Sequence, residues 1–347
     1  MLGRRRFLQV MGAGAAALAL AACEGKTPDA PGAEEGDGEE APEAVEPVAV
    51  RTSALKGPTA MGLVRFMSEA EAGNLADNDY TFQIVASPDE VTPLIAKGEV
   101  DIAAVPANLA SVLYNKTEGG VRTIAINTLG VLYICELGDT VHTVADLRGK
   151  TIYASGKGSM PEYGLAYVLE KNGLAVGEDV TIEWKSEHAE CVAALAAAQE
   201  GAVAMLPQPF VTTAQTKNDQ IRVALDLTEE WDAVQTGDER SSMVTGVALV
   251  RSAFADEHPA AVDAFLEHYA ESVDFVNDHV AEAAELVGSY DIVPATVAEK
   301  AIPACNIVCV TGEDMKERLS GYLAVLAEQN SEAVGGSLPG DDFYYGA

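Results

Sequence analysis

The sequence predicts an α/β protein of two Rossmann-like lobes, the first of them discontinuous, with a ligand cleft between the lobes. Three observations lead there. The chain has 347 residues and is 48% hydrophobic, enough to fill more than one compact core. Short apolar runs alternate with helical stretches at the spacing of a largely parallel sheet. The alternation pauses near residue 137, restarts near 143, and leaves one late strand-like run at 245–250 before a helical C-terminal third.

The first lobe is expected over 48–137. Residues 48–52 read as a strand, and Lys56-Gly57-Pro58-Thr59 turns it into a helix that Gly73 stops, with Pro58 suited to a first helical turn. Tyr80, Phe82, Ile84 and Ala86 alternate with polar partners as a second strand. Ser87-Pro88-Asp89-Glu90 is patterned as a capping box, and Pro93 should kink or shorten the helix that follows. A buried strand at 100–105 leads through Pro106-Ala107-Asn108 into another helix, and strands at 123–127 and 131–135 close the set.

The second lobe is expected over 138–249, with strands at 151–154, 179–184, 202–206 and 222–225 and helices at 160–172 and 188–200. Lobe one then resumes over 250–347 with helices at 259–277, 280–288 and 313–329. The Gly-rich, aromatic tail 334–347 should pack as an irregular strap.

The formal net charge of -32 argues against nucleic acid as a partner, because phosphate binding needs a dense Lys/Arg surface. Whole-molecule charge governs solubility and steering rather than the content of a cleft.

Residues 1–22 place Arg4-Arg5-Arg6 ahead of an Ala-rich apolar run, the pattern of a signal peptide. That run is too short and too rich in small residues for a membrane span of about 20 apolar residues. The segment from Arg4 to Gln9 resembles a twin-arginine export motif, with Gln9 in place of the usual lysine and Gly3 in place of a hydroxyl residue, so both export routes stay open. Leu20-Ala21-Ala22-Cys23 resembles a bacterial lipobox, which implies lipidation at Cys23 and a membrane-anchored protein facing outward from the cytoplasm. Residues 23–47, rich in Glu, Asp, Gly and Pro, read as a disordered acidic tether.

Three further stretches carry a family resemblance: Lys97-Gly98-Glu99-Val100-Asp101-Ile102-Ala103, then Ala145-Asp146-Leu147-Arg148-Gly149-Lys150-Thr151-Ile152, then the helix after His258-Pro259. They resemble the type II periplasmic binding proteins of ABC importers, in the branch for nitrate, sulfonates, taurine and thiamine precursors. The resemblance covers roughly 48–330 and implies a small-molecule solute held between the lobes and an ABC permease as partner. The fold alone leaves two alternatives: a related enzyme of thiamine-pyrimidine or menaquinone biosynthesis, or a ligand sensor for a membrane partner.

Open α/β sheets bind ligands beyond the carboxyl ends of their strands, where loop amides face a crevice. The candidate ligand-binding residues at such ends are Lys56, Thr59, Asn108, Thr128, Ser155, Ser159 and Gln208. Lys56 would supply a cation, and Asn108 and Gln208 can each donate and accept. Thr59 and Ser159 are equally suited to capping their own helices. Tyr163 or Tyr133 could stack on a planar ligand or pack in a core. Gly156-Lys157-Gly158-Ser159 lacks the spacing of a nucleotide-binding P-loop.

No cofactor is expected. Cys305 and Cys309 lack zinc-ribbon spacing and a histidine partner, so no metal site is expected either. Cys135, Cys191, Cys305 and Cys309 are read first as buried free thiols, with one disulfide as the alternative. The five histidines show no motif that pairs a base with a nucleophile, so catalysis is not expected.

Overall fold

The computed structural model describes residues 47–235 and 241–347. The signal peptide, the lipobox cysteine Cys23 and the acidic tether lie outside the described residues.

The chain opens with β1 (Ala49–Leu55), α1 (Pro58–Met61), α2 (Val64–Glu71), β2 (Asp79–Val85), α3 (Pro88–Ala96) and β3 (Ile102–Pro106). It continues with α4 (Ala107–Lys116), β4 (Val121–Leu129) and β5 (Leu132–Leu137). A second run holds β6 (Thr151–Ala154), α5 (Met160–Lys171), β7 (Thr181–Trp184), α6 (His188–Ala197), β8 (Ala202–Pro207), α7 (Phe210–Lys217), β9 (Ile221–Asp226) and α8 (Leu227–Ala233). The remainder is β10 (Val244–Arg251), α9 (Ser252–Glu257), α10 (Pro259–Asp278), α11 (Val280–Ser289), α12 (Ala295–Ala301), β11 (Ile307–Val310) and α13 (Gly312–Gln329).

Two sheets organise these elements: β11-β4-β10-β3-β1-β2 in one lobe and β7-β6-β8-β5-β9 in the other. β1 runs parallel to β2 and β3, and β10 runs antiparallel to β3 and β4. In the second sheet β6 is parallel to β7 and β8, while β5 opposes β8 and β9. The first lobe is therefore discontinuous, since β10 and β11 rejoin it after the whole second sheet.

The lobe boundaries differ from those read in the sequence. β5 was placed in the first lobe, but it pairs only in the second sheet, so the crossing lies at Gly130-Val131 rather than after residue 137. Every residue of β5 is buried, so it carries no polar alternation to mark its neighbours. The return likewise precedes Val244 rather than residue 250. The C-terminal third is not purely helical either, because β11 pairs with the edge of β4.

Local sequence explains much of the rest. Glu90 accepts from the backbone N–H of Ser87 at 3.0 Å, the reciprocal arm of the expected capping box. α3 passes through Pro93 and ends three residues later. In α10, with Pro259 in its first turn, the buried residues Ala261, Val262, Phe265, Tyr269, Ser272, Val273 and Val276 form one stripe at helical spacing. In the tail, Phe343 is buried and Tyr344 bridges Thr123 of β4. No described helix is long and apolar enough to cross a membrane.

The family-like stretches do structural work at the sheet ends far from Gly130. The carboxylate of Asp101, just before β3, is buried and takes hydrogen bonds from Arg51 of β1 and Arg251 of β10. Gly98, at φ 69°, provides a left-handed turn with the Arg251 guanidinium beside it. In the second lobe Lys150 and Arg222 approach the buried Glu136 of β5 at 3.7 and 2.7 Å. Each lobe thus carries a buried carboxylate with basic partners at its distal edge.

Candidate functional site

Strand direction locates the cleft. β4 passes into β5 through only Gly130 and Val131, so the carboxyl ends of β1, β3 and β4 face those of β6, β7, β8 and β9 across this link. Gly130 is required there, because a Cβ would collide with the Thr228 hydroxyl. Asn306, at a left-handed φ of 46°, splints the link: its Nδ2 donates to the Gly130 carbonyl at 2.5 Å and its own carbonyl accepts from Leu129 N–H at 3.0 Å.

Further contacts join the lobes. The Tyr133 hydroxyl of β5 donates to the Ala304 carbonyl at 2.7 Å. On the other flank α13 packs against α5, where Gln329 and Asn330 both bond Tyr163. Trp231 of α8 is fully buried between Tyr167 of α5 and Tyr322 of α13, with ring centroids 4.2 and 5.6 Å away. Tyr133 and Tyr163 are thus both buried lobe-to-lobe contacts.

Beyond the carboxyl end of β1, Thr59 is buried and donates to the Leu55 carbonyl at 2.8 Å, a bond within its own turn. Its methyl and the Asn127 Oδ1 crowd the Cα of Gly246, and Gly246 pairs with Thr128 across β4 and β10. Thr59, Asn127 and Thr128 therefore converge on one glycine. Asn127 is 1% exposed and neither of its polar side-chain atoms has a partner, and the fully buried Thr128 hydroxyl has none either. Such groups are costly unless a partner arrives.

Two candidates pair with later segments of the first lobe. Lys56 pairs with Asp291 at 3.2 Å on the surface. Asn108 donates to the Ala333 carbonyl at 3.3 Å and tethers the segment after α13.

In the second lobe Ser155 directly follows β6 and is 2% exposed, with its Oγ 2.5 Å from Nδ1 of His188 at the start of α6. Ser159 donates to the Gly156 carbonyl at 2.6 Å and shapes the loop ahead of α5. Gln208, followed by a cis proline, accepts from the Thr212 hydroxyl at 2.9 Å. Asp226 ends β9 and caps α8 through Thr228 N–H, and burial pushes its pKa upward.

Sequence reasoning missed Asn127 and His188. Asn127 occupies a register shift between Ile126 and Thr128, a bulge that re-aims a side chain and leaves no motif. His188 was noted only as lacking a partner, and its partner is 33 residues away.

The described arginines are all paired with carboxylates: Arg51 and Arg251 with Asp101, Arg65 with Glu69, Arg122 with Asp256, Arg148 with Asp179, Arg222 with Glu136 and Arg318 with Asp314. Cys135, Cys191 and Cys305 are buried, Cys309 is partly buried, and all four are free thiols. No group of three or more metal-ligating side chains occurs among the described residues.

No protein-family model matches the chain, and no curated protein does. Solved structures do match. An ABC transporter protein from Parabacteroides distasonis superposes with a TM-score of 0.70 at 21% identity, over 85% of this chain and 98% of that one. The fold is that of a type II periplasmic binding protein.

Two sulfonate-binding proteins share this type II fold. The aliphatic sulphonate binding protein SsuA from Escherichia coli gives a TM-score of 0.60 at 16% identity, over 82% of this chain and 85% of that one. SsuA from Xanthomonas axonopodis pv. citri, solved with MOPS bound, gives 0.58 at 18% identity, over 85% and 96%. The discontinuous first lobe and the facing strand ends are the features this chain has in common with the type II fold.

Proposed function

We propose that the chain is the solute-capture component of an ABC importer, exported and held at the membrane by a lipid on Cys23. Its two lobes would close over a small organic molecule and present it to a permease. The observation that carries this reading is the buried, unpartnered Asn127 and Thr128 near the carboxyl end of β4, set against Ser155, His188 and Gln208 beyond the carboxyl ends of β6, β7 and β8. A solute that bonds both walls favours the closed arrangement, since only closure satisfies both sets. The neighbours are described as an ABC transporter protein and sulfonate-binding proteins, which supports import over catalysis. Thr59, Thr128, Ser155, Ser159 and Gln208 are the lining groups in this reading, with Asn127 and His188 added, while Lys56 and Asn108 serve the rim.

Native mass spectrometry of freshly purified protein, joined to a thermal-shift screen, tests it. At free solute about 100 times Kd, binding adds about 2.7 kcal/mol to stability, a plain rise in Tm. A protein that retains nothing and is stabilised by no sulfonate, carboxylate, pyrimidine or flavin contradicts the reading.

A further inference from the structure

The second-lobe wall holds a polar chain whose end is free. Ser155, His188 and Phe210 follow the carboxyl ends of the adjacent parallel strands β6, β7 and β8. The His188 ring packs on Phe210 with centroids 5.1 Å apart and bonds the Ser155 hydroxyl through Nδ1. One turn along α6 lies the buried Cys191 thiol. Burial pushes the thiol pKa up and the imidazole pKa down, so both are uncharged at neutral pH.

A neutral imidazole carries one N–H, and its position follows from what the other nitrogen does. Nδ1 is the one partner of the buried Ser155 hydroxyl among the described residues, so the serine O–H is satisfied only by donating to Nδ1, and the ring proton then sits on Nε2. Nε2 has no partner among the described residues. A donor fixed in orientation, packed on an aromatic ring and left unpaired at a strand-end wall suits an acceptor atom of a bound molecule.

We propose that His188 is the solute-recognising donor of the second lobe, offering Nε2–H to an acceptor oxygen of the sulfonyl, carboxyl or carbonyl class, with Ser155 as its positioning residue. The proposal rests on the cleft reading above. It makes His188 a determinant of which solutes are held.

The test uses the mature protein, with MOPS and acetate as probes and ¹⁵N-labelled histidine. Expected are an Nε2–H tautomer for His188, a shift of that resonance on addition of a binding probe, and a loss of tautomer preference in Ser155→Ala. Calorimetry should show His188→Ala binding that probe about tenfold more weakly, while His188→Gln, which keeps a donor, stays within about threefold. An Nδ1–H tautomer, or His188→Ala binding as tightly as wild type, overturns the role of His188 and leaves the cleft reading intact. Wild-type protein that refuses both probes yet retains another solute in native mass spectrometry overturns the acceptor-oxygen class. Protein that binds nothing overturns the cleft reading and this proposal together.

Discussion

The hydroxyl of Tyr163, on the second lobe, accepts a 2.8 Å hydrogen bond from Nδ2 of Asn330, which follows the last helix of the first lobe. Gln329 donates to the Tyr163 backbone carbonyl at 3.2 Å, so one residue is held twice across the lobes. Tyr163 also sits in the first turn of α5, directly after the loop that carries Ser155 and Ser159. The loop that carries Ser155 and Ser159 therefore leads straight into this contact.

Tyr163→Phe removes the hydroxyl bond and keeps the ring. A bond of this kind is worth about 1 kcal/mol net, so solute should leave about fivefold faster and small-angle scattering should show a larger radius of gyration. Unchanged release and an unchanged radius would mean that Tyr163 is only a packing residue.

Asp101 ties β1, β3 and β10 together at the distal edge. Its side chain is 1% exposed, and Asp101→Ala leaves the facing Arg51 and Arg251 without their carboxylate, at a cost of about 3 kcal/mol by urea unfolding. Burial alone would raise its pKa, but the bonds from Arg51 and Arg251 outweigh burial and hold it below the ordinary carboxylate value. The stabilisation is therefore complete above about pH 4 and is lost as pH falls through the lower folded pKa. Wild type should lose stability in that acid window, and Asp101→Ala should show a flatter profile there. Equal slopes would contradict the role given to the clamp.

Gly246 is held to glycine by its neighbours, not by its backbone angles. Gly246→Ala drives a methyl into Thr59 Cγ2 and Asn127 Oδ1, an overpacking cost of about 1–3 kcal/mol. Adding Thr59→Ser removes one of the colliding groups and should recover part of that loss in a double-mutant cycle. Strict additivity would show that the two residues do not meet.

How much of this was legible follows from how local each signal is. The turn at Lys56-Gly57-Pro58-Thr59 and the helix after His258-Pro259 are encoded within a few residues and formed where expected, although the helix expected from Pro58 to Gly73 divides into α1 and α2. β11 is four residues long, and its pairing partner β4 lies far away in the chain, so no local periodicity announces it. β5 is buried on both faces, and nothing in its composition distinguishes one sheet from the other. The candidate site was legible as a set of strand ends but not as a set of side chains. Thr59 and Ser159 bond within their own turns, Asn108 and Lys56 bond the first lobe's later segments, and the unpartnered Asn127 depends on a bulge opposite Gly246.

Anchoring is tested apart from binding. Cys23→Ser should move the exported protein from the membrane fraction to the soluble fraction, since stable attachment needs the acyl chains a lipobox cysteine carries. A variant that sediments with membranes as wild type does would remove the lipid anchor from the account.

The measurement closest to the central claim is a crystal structure of the protein with the solute it retains through purification. The account expects that solute between the lobes, bonded by Asn127 or Thr128 on one wall and by His188 on the other, with Tyr163 held by Asn330. A solute seated outside the facing strand ends, or bonded by one lobe alone, would contradict it.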